Sequence, residues 1–196
     1  MAKRFALVMA LLLIMAAATF AQVPSAGNVF VGYSLARVDA GWGTQGNING
    51  WEVSAEGKVA PFVGMVLDLG TTYGPLPIPN SQLFGTSGMA TGESTLVTYM
   101  VGPRVSVKVG RFRPFAHVLV GGAHLHQNVT HYADAYVHGE TALADDFGGG
   151  VDYRIMPHIG FRLQGDALQT RFRDDYPVNT GVKTNIRGSA GIVFNF

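Results

Sequence analysis

The sequence predicts an all-β protein: eight antiparallel strands closed up-and-down into a transmembrane β-barrel, preceded by a helical signal peptide. Three observations predict it. Eight segments alternate apolar with polar residues at period two, as strands do when their faces meet different surroundings. Their connections alternate between long and short, and the short ones share a motif. The strand charges gather on one face while rings and aliphatics gather on the other.

The N-terminus comes first. Lys3 and Arg4 form a basic start, Phe5 to Ala18 an apolar stretch, and the small residues Thr19 and Ala21 suit cleavage after Ala21. That apolar stretch falls short of the ~20 residues a spanning helix needs. Residues 1–21 are therefore expected to be a cleaved signal peptide, 22–27 a short lead and 28–196 the barrel. With 14% charged residues and a net charge of +1, the chain has no electrostatic footprint for nucleic acid. Cysteine is absent, which excludes a disulfide framework and thiol chemistry.

The first strand, 27–38, sets Val29, Val31, Tyr33 and Leu35 against Phe30, Gly32, Ser34 and Ala36. After a Gly- and Asn-rich connection at 39–49, the second (50–59) alternates Trp51, Val53 and Ala55 with Glu52, Ser54 and Glu56. The third, 62–73, opposes Leu67 and Leu69 to Asp68 and Gly70; prolines at 75, 77 and 79 then predict a long loop over 74–93. The fourth, 94–108, carries Tyr99, Val101 and Val105 against Thr98, Gly102 and Arg104, with Pro103 demanding a bulge or an edge. The fifth, 114–126, places Ala116, Val118 and Val120 outward and His117, Leu119 and Gly121 inward; a third loop is expected at 127–140. The sixth (141–155) sets Phe147, Val151 and Tyr153 against Gly148, Gly150 and Asp152. The seventh (159–172) sets Phe161 and Leu163 against Arg162, Gln164 and Asp166, and a fourth loop covers 173–181. The closing strand, 183–196, carries Ile186, Ile192, Phe194 and Phe196 opposite Arg187 and Ser189.

The short turns repeat one pattern, Lys58-Val-Ala-Pro61-Phe62, Arg111-Phe-Arg-Pro114-Phe115 and Arg154-Ile-Met-Pro157-His158. Each is a basic residue, two others, a proline that presets φ for a turn, then a ring. Short turns at one rim and long loops at the other is the asymmetry of bacterial outer-membrane barrels, whose short turns face the periplasm.

Energetics choose the lipid face. Glu52, Glu56, Lys58, Asp68, Arg104, Asp152, Arg154, Arg162, Asp166 and Arg187 share one side. Facing lipid at mid-depth, each Arg or Lys would cost roughly 2–4 kcal/mol. In the dry cavity of a soluble, lipocalin-type barrel, each unpaired charge would cost several. Inside a narrow closed barrel, acids and bases pair, and the glycines of the same face leave them room. These ten residues are the expected lumen charge network. Eight strands leave an interior about filled by side chains.

Over nearly the whole mature chain this pattern resembles the small OmpA- and OmpX-type outer-membrane barrels. Such barrels commonly end in Phe, so the resemblance implies that Phe194 and Phe196 form an assembly signal read by the barrel-assembly machinery. It further implies an outer-membrane location, with membrane lipid and lipopolysaccharide as partners and an extracellular ligand at the loops. No peptidoglycan-binding domain follows the barrel, so cell-wall tethering is not implied. The His-x-Ser of lipid A deacylase-type barrels is missing, and no catalytic residues or cofactor are expected.

Asp145-Asp146 and Asp174-Asp175, paired carboxylates at loop bases, read as solvated charge, or as calcium and lipopolysaccharide contacts, rather than as acid–base catalysts. No metal is expected; the alternative is a divalent ion held by His124, His126 and His131. The function expected is structural and surface-interacting, with the lumen closed by its charges and four loops presenting a binding surface. The alternative is a gated small-solute conduit or small-ligand binder using the polar lumen.

Overall fold

The computed structural model describes residues 26–39, 45–79, 89–131, 134–172, 174–175, 178–179 and 182–196. The expected signal peptide and most of the lead lie outside them. The strands are β1 (Gly27–Asp39), β2 (Gln45–Ala60), β3 (Val63–Pro79), β4 (Met89–Ser106), β5 (Phe112–His131), β6 (Asp134–Arg154), β7 (Ile159–Thr170) and β8 (Lys183–Asn195). Each pairs antiparallel with its sequence neighbours, and β8 pairs with β1, so all eight close into one barrel. Before β8, Asp174–Asp175 pairs with Val178–Asn179.

Closure puts the last residue to use. Phe196 N–H donates to the Gly27 carbonyl at 3.1 Å, and Gly27 N–H donates to that of Phe196 at 3.0 Å. The barrel is staggered, as closure requires. From Phe30, one direction around the ladder passes Ser54, Asp68, Met100, Gly121 and Ala144 to reach Thr170 on β7. The other passes Val193 and reaches the same strand at Gly160, ten residues away.

Alternation decides what each face meets. Val31, Tyr33, Leu35, Leu67, Leu69, Val101, Val120, Leu163 and Phe194 stand exposed around the outside. Residues between them turn inward. Towards the long-connection end the interior is apolar: Ala36, Val38, Ile48, Leu76, Leu96, Met100, Leu119, Ala123, Leu125, Ala144, Leu168 and Phe172 form one buried cluster. Sequence reasoning set Ala36 and Leu119 inward but foresaw no such plug.

Three expectations are corrected. Residues 127–140 are mostly paired strand, with β5 and β6 in register from Phe112↔Tyr153 to His131↔Asp134. The proline-rich stretch also stays in β3. Beyond Tyr73 that strand pairs, among the described residues, only with β4, so prolines at 75, 77 and 79 sit where the other edge has no described partner to receive a ladder bond. Pro103 makes no bulge either. Val101↔Val120 and Arg104↔His117 keep one register across it, and at Gly102 a Cβ would lie only 2.9 Å from Leu119 Cα.

The turn motif is less uniform than its spelling. Pro61-Phe62 makes the first turn and Pro157-His158 ends the third, but Pro114 lies within β5 opposite Val151. The second turn is Gly110-Arg111 between Val109 and Phe112, whose N–H groups donate to each other's carbonyls at 2.8 and 3.0 Å. Gly110 takes φ +61° there, a conformation glycine adopts without steric cost.

Candidate functional site

Below the apolar plug, inward residues of all eight strands build a polar layer with two halves. The half nearer the short turns is centred on Glu56. Its carboxylate meets Lys58 at 2.9 Å, Arg113 at 3.2 Å and Arg104 at 3.5 Å, and accepts from Asn28 Nδ2 at 2.7 Å. Asp152 is gripped by two nitrogens of Arg162, at 2.6 and 3.0 Å, the forked geometry guanidinium offers a carboxylate. Arg113 reaches Asp152 at 3.0 Å. Two carboxylates here face four cations.

Burying Arg104 and Arg162 completely needs more than acids. The Arg104 guanidinium lies 4.3 Å from the Phe115 ring centre, and that of Arg162 lies 4.7 Å from Phe115 and 4.9 Å from Phe30. The ring quadrupole attracts a desolvated cation. These two rings are buried inward residues at this end, which the strand alternation alone did not mark as cation partners.

The deeper half inverts the balance. Arg187 reaches Asp166 at 3.1 Å, Asp146 at 3.2 Å, Asp68 at 3.4 Å and Glu52 at 3.6 Å. Gln164 donates to Glu52 at 2.6 Å and to Asp166 at 3.0 Å, and Ser189 donates to Glu52 at 2.6 Å. Four carboxylates surround one guanidinium, and Asp68 Oδ2 and Asp146 Oδ1 have no hydrogen-bond partner among the described residues. His117 links the halves: its Nδ1 lies 3.2 Å from Arg104 Nη2 and its Nε2 lies 3.1 Å from Asp166 Oδ1.

Of the ten expected network residues, Glu52, Glu56, Asp68, Arg104, Asp152, Arg162, Asp166 and Arg187 are buried in this layer and Lys58 is half-buried at its edge. Arg154 does not join them. It is exposed at the end of β6, where the strand runs out at the rim. Asn28, Ser54, Arg113, His117, Asp146, Gln164 and Ser189 belong to the layer and were missed as members. The reading of Asp145-Asp146 as solvated needs correction: Asp146 is fully buried, whereas Asp145 points outward and pairs with Arg171. Successive strand residues point to opposite faces, and Asp146 shares the parity of Gly148 and Asp152, the signal that could have found it. Asp174-Asp175 side chains lie outside the described ones.

The glycines of this face give the layer its room. A Cβ at Gly148 would stand 2.6 Å from His117 Nε2 and closer still to Asp166 Oδ1, and one at Gly64 would stand 2.5 Å from Glu56 Oε1.

Among the described residues one cluster has metal-ligand character: His117, Asp146 and Asp166, with donor atoms within 4.8 Å of one another. Its hydrogen bonding argues against a metal. A guanidinium only donates, so His117 Nδ1 accepts from Arg104 and Nε2 carries the N–H that donates to Asp166. A metal at Nε2 would have to force that hydrogen onto Nδ1, against Arg104. Of the expected alternative trio, two side chains are described. His124 and His126 point outward near the far end of β5, with His124 Nδ1 bonded to Thr141 Oγ1 at 2.7 Å; the His131 side chain lies outside the described ones.

No protein-family model and no curated protein matches the sequence. Solved structures do. Ail, the attachment invasion locus protein of Yersinia pestis, matches with a TM-score of 0.60 at 14% identity over 87% of this chain and 98% of that one. Neisserial surface protein A gives 0.60 at 11% over 88% and 99%. A major outer membrane protein of Thermus thermophilus gives 0.59 at 14% over 86% and 99%. At these identities the likeness is one of fold, and the fold is that of the small outer-membrane barrels of OmpA and OmpX type.

Proposed function

We propose that the chain is a bacterial outer-membrane protein, exported behind a cleaved signal peptide, that serves as a rigid structural barrel and presents a binding surface at its long-connection end. The filling of its interior carries this reading. Arg104, Arg162, Glu52 and Asp146 have 0% exposure, and the apolar residues Leu96, Leu119, Ala123 and Leu168 lie above them at 2% or less. A conduit would need both layers to part: separating paired buried charges costs several kcal/mol for each ion left behind. The lumen is therefore closed at rest.

The surface reading draws on strand length. A tilted strand needs about 9–11 residues to cross a bilayer, whereas β5 has 20 and β6 has 21. The surplus stands beyond the membrane as a hairpin next to the extended β3–β4 pair, a platform for an extracellular ligand or for lipopolysaccharide. At the other end, Phe194 and Phe196 serve as the assembly signal read by the barrel-assembly machinery.

Expression in a Gram-negative cell followed by fractionation tests this. The chain is expected in the outer membrane with heat-modifiable gel mobility, and replacing Phe194 and Phe196 by alanine is expected to reduce the assembled fraction several-fold. In planar bilayers the purified barrel is expected to give no reproducible conductance steps. Well-defined steps would sink the closed-lumen reading in favour of the conduit, and recovery in a soluble fraction would sink the membrane assignment.

A further inference from the structure

The mouth at the short-turn end carries more than a rim of solvated charge. A cavity of about 300 Å³ opens there, between the second and third turns and the barrel's two chain ends. Its lining includes Lys58, Lys108, Arg111, Arg113, Arg154 and His158, against one acidic side chain, Asp152, and the terminal carboxylate of Phe196. Asp152 is already held by Arg162 and Arg113, and Lys58 by Glu56. Lys108, Arg111 and Arg154 are exposed, and no ion pair joins them to any described residue. Arg113 forms part of the floor, its Nε buried without a hydrogen-bond partner.

We propose that this vestibule binds a phosphate-bearing anion. Two features separate it from an ordinary basic rim. The first is concavity: the half-open hollow has a volume at the lower end of ligand sites, which run roughly 300–1,000 Å³, and low-dielectric walls concentrate the field of the cations that line them. The second is what lies beneath. The adjoining half of the polar layer sets Lys58, Arg104, Arg113 and Arg162 against only Glu56 and Asp152, so buried charge adds to the positive potential at the mouth. A second hollow lined by Lys58, Lys108, Arg113 and Ser106 continues the basic surface towards the first turn. Phosphate fits this set. It offers several acceptor oxygens to forked guanidiniums and point-charge ammonium groups, and an ester substituent has room to leave by the open side. The phosphate can come from a lipid headgroup of the adjoining leaflet or from a soluble compound.

The test uses the full barrel in neutral detergent and the variant Lys108→Gln/Arg111→Gln/Arg154→Gln, whose changes lie outside the buried network. Heat-modifiable mobility establishes that both fold. Isothermal calorimetry with inorganic pyrophosphate reads the soluble arm. Native mass spectrometry after reconstitution with phosphatidylglycerol, against an uncharged glycolipid, reads the headgroup arm. Wild type is expected to bind in at least one arm, with affinity or retention falling at least about tenfold in the triple variant and with added salt. Pyrophosphate binding alone assigns a soluble ligand; lipid retention alone assigns a headgroup. Equal binding by wild type and variant, or no binding in either arm, overturns the proposal.

Discussion

Replacing Arg187 by leucine is expected to destabilise the barrel by about 3–5 kcal/mol, the usual result of removing one member of a buried ion cluster. Arg187 is the one guanidinium among Glu52, Asp68, Asp146 and Asp166, all within 3.6 Å. Its loss leaves four buried carboxylates repelling one another, with Gln164, Ser189 and His117 as donors among the described residues. Leucine supplies none of the lost donors. Arg187→Lys should fall between, since an ammonium keeps the charge and loses the fork. Asp68→Asn should behave oppositely, costing less than about 1 kcal/mol because it relieves like-charge repulsion and its Oδ2 already lacks a partner. Urea unfolding in lipid vesicles, followed by tryptophan fluorescence, reads all three. Similar midpoints for Arg187→Leu and wild type would contradict an acid-rich centre held by one cation.

Leu69→Arg is expected to cost about 2–4 kcal/mol, and Tyr73→Arg, nearer the rim of the same face, only about 0–1. Both side chains are exposed, at 49% and 52%. On a soluble barrel, exposed substitutions of this kind each change stability by no more than about 0.5 kcal/mol. Lipid outside makes the cost depend on depth, and the same unfolding titration measures that dependence. Equal small effects at both positions would place the outer face in water.

The strand count, the face of each strand and most of the buried charges were legible because a period of two depends only on neighbouring residues. Glu52, Asp68, Arg162 and Arg187 sit in unbroken alternation, so parity alone turned them inward. Asp146 and Arg113 were misjudged where the alternation was cut short: the paired Asp-Asp, although inside the expected sixth strand, reads as a solvated loop base, and Arg113 falls in the expected turn. The stretch from Gln127 to Glu140 reads as loop because histidine, tyrosine and aspartate there hide the period, yet its described backbone pairs in register. Prolines at 75, 77 and 79 misled for a different reason. Proline excludes a ladder bond on one side, and one strand's sequence does not say which of its edges is free. Partners across the barrel were beyond reach in principle. That Arg104 should meet Phe115, or Gln164 meet Glu52, follows from the stagger of a closed sheet rather than from spacing along the chain.

The central claim is sidedness: hydrocarbon-compatible residues surround a cylinder whose interior holds both the ions and the apolar plug. Methyl-labelled protein in lipid nanodiscs tests it without altering a residue. Acyl-chain protons should give nuclear Overhauser effects to the methyls of Leu67, Leu69 and Leu163, and none to those of Leu96, Leu119 and Leu168. Acyl-chain contacts to the second set, or their absence from the first, would contradict it.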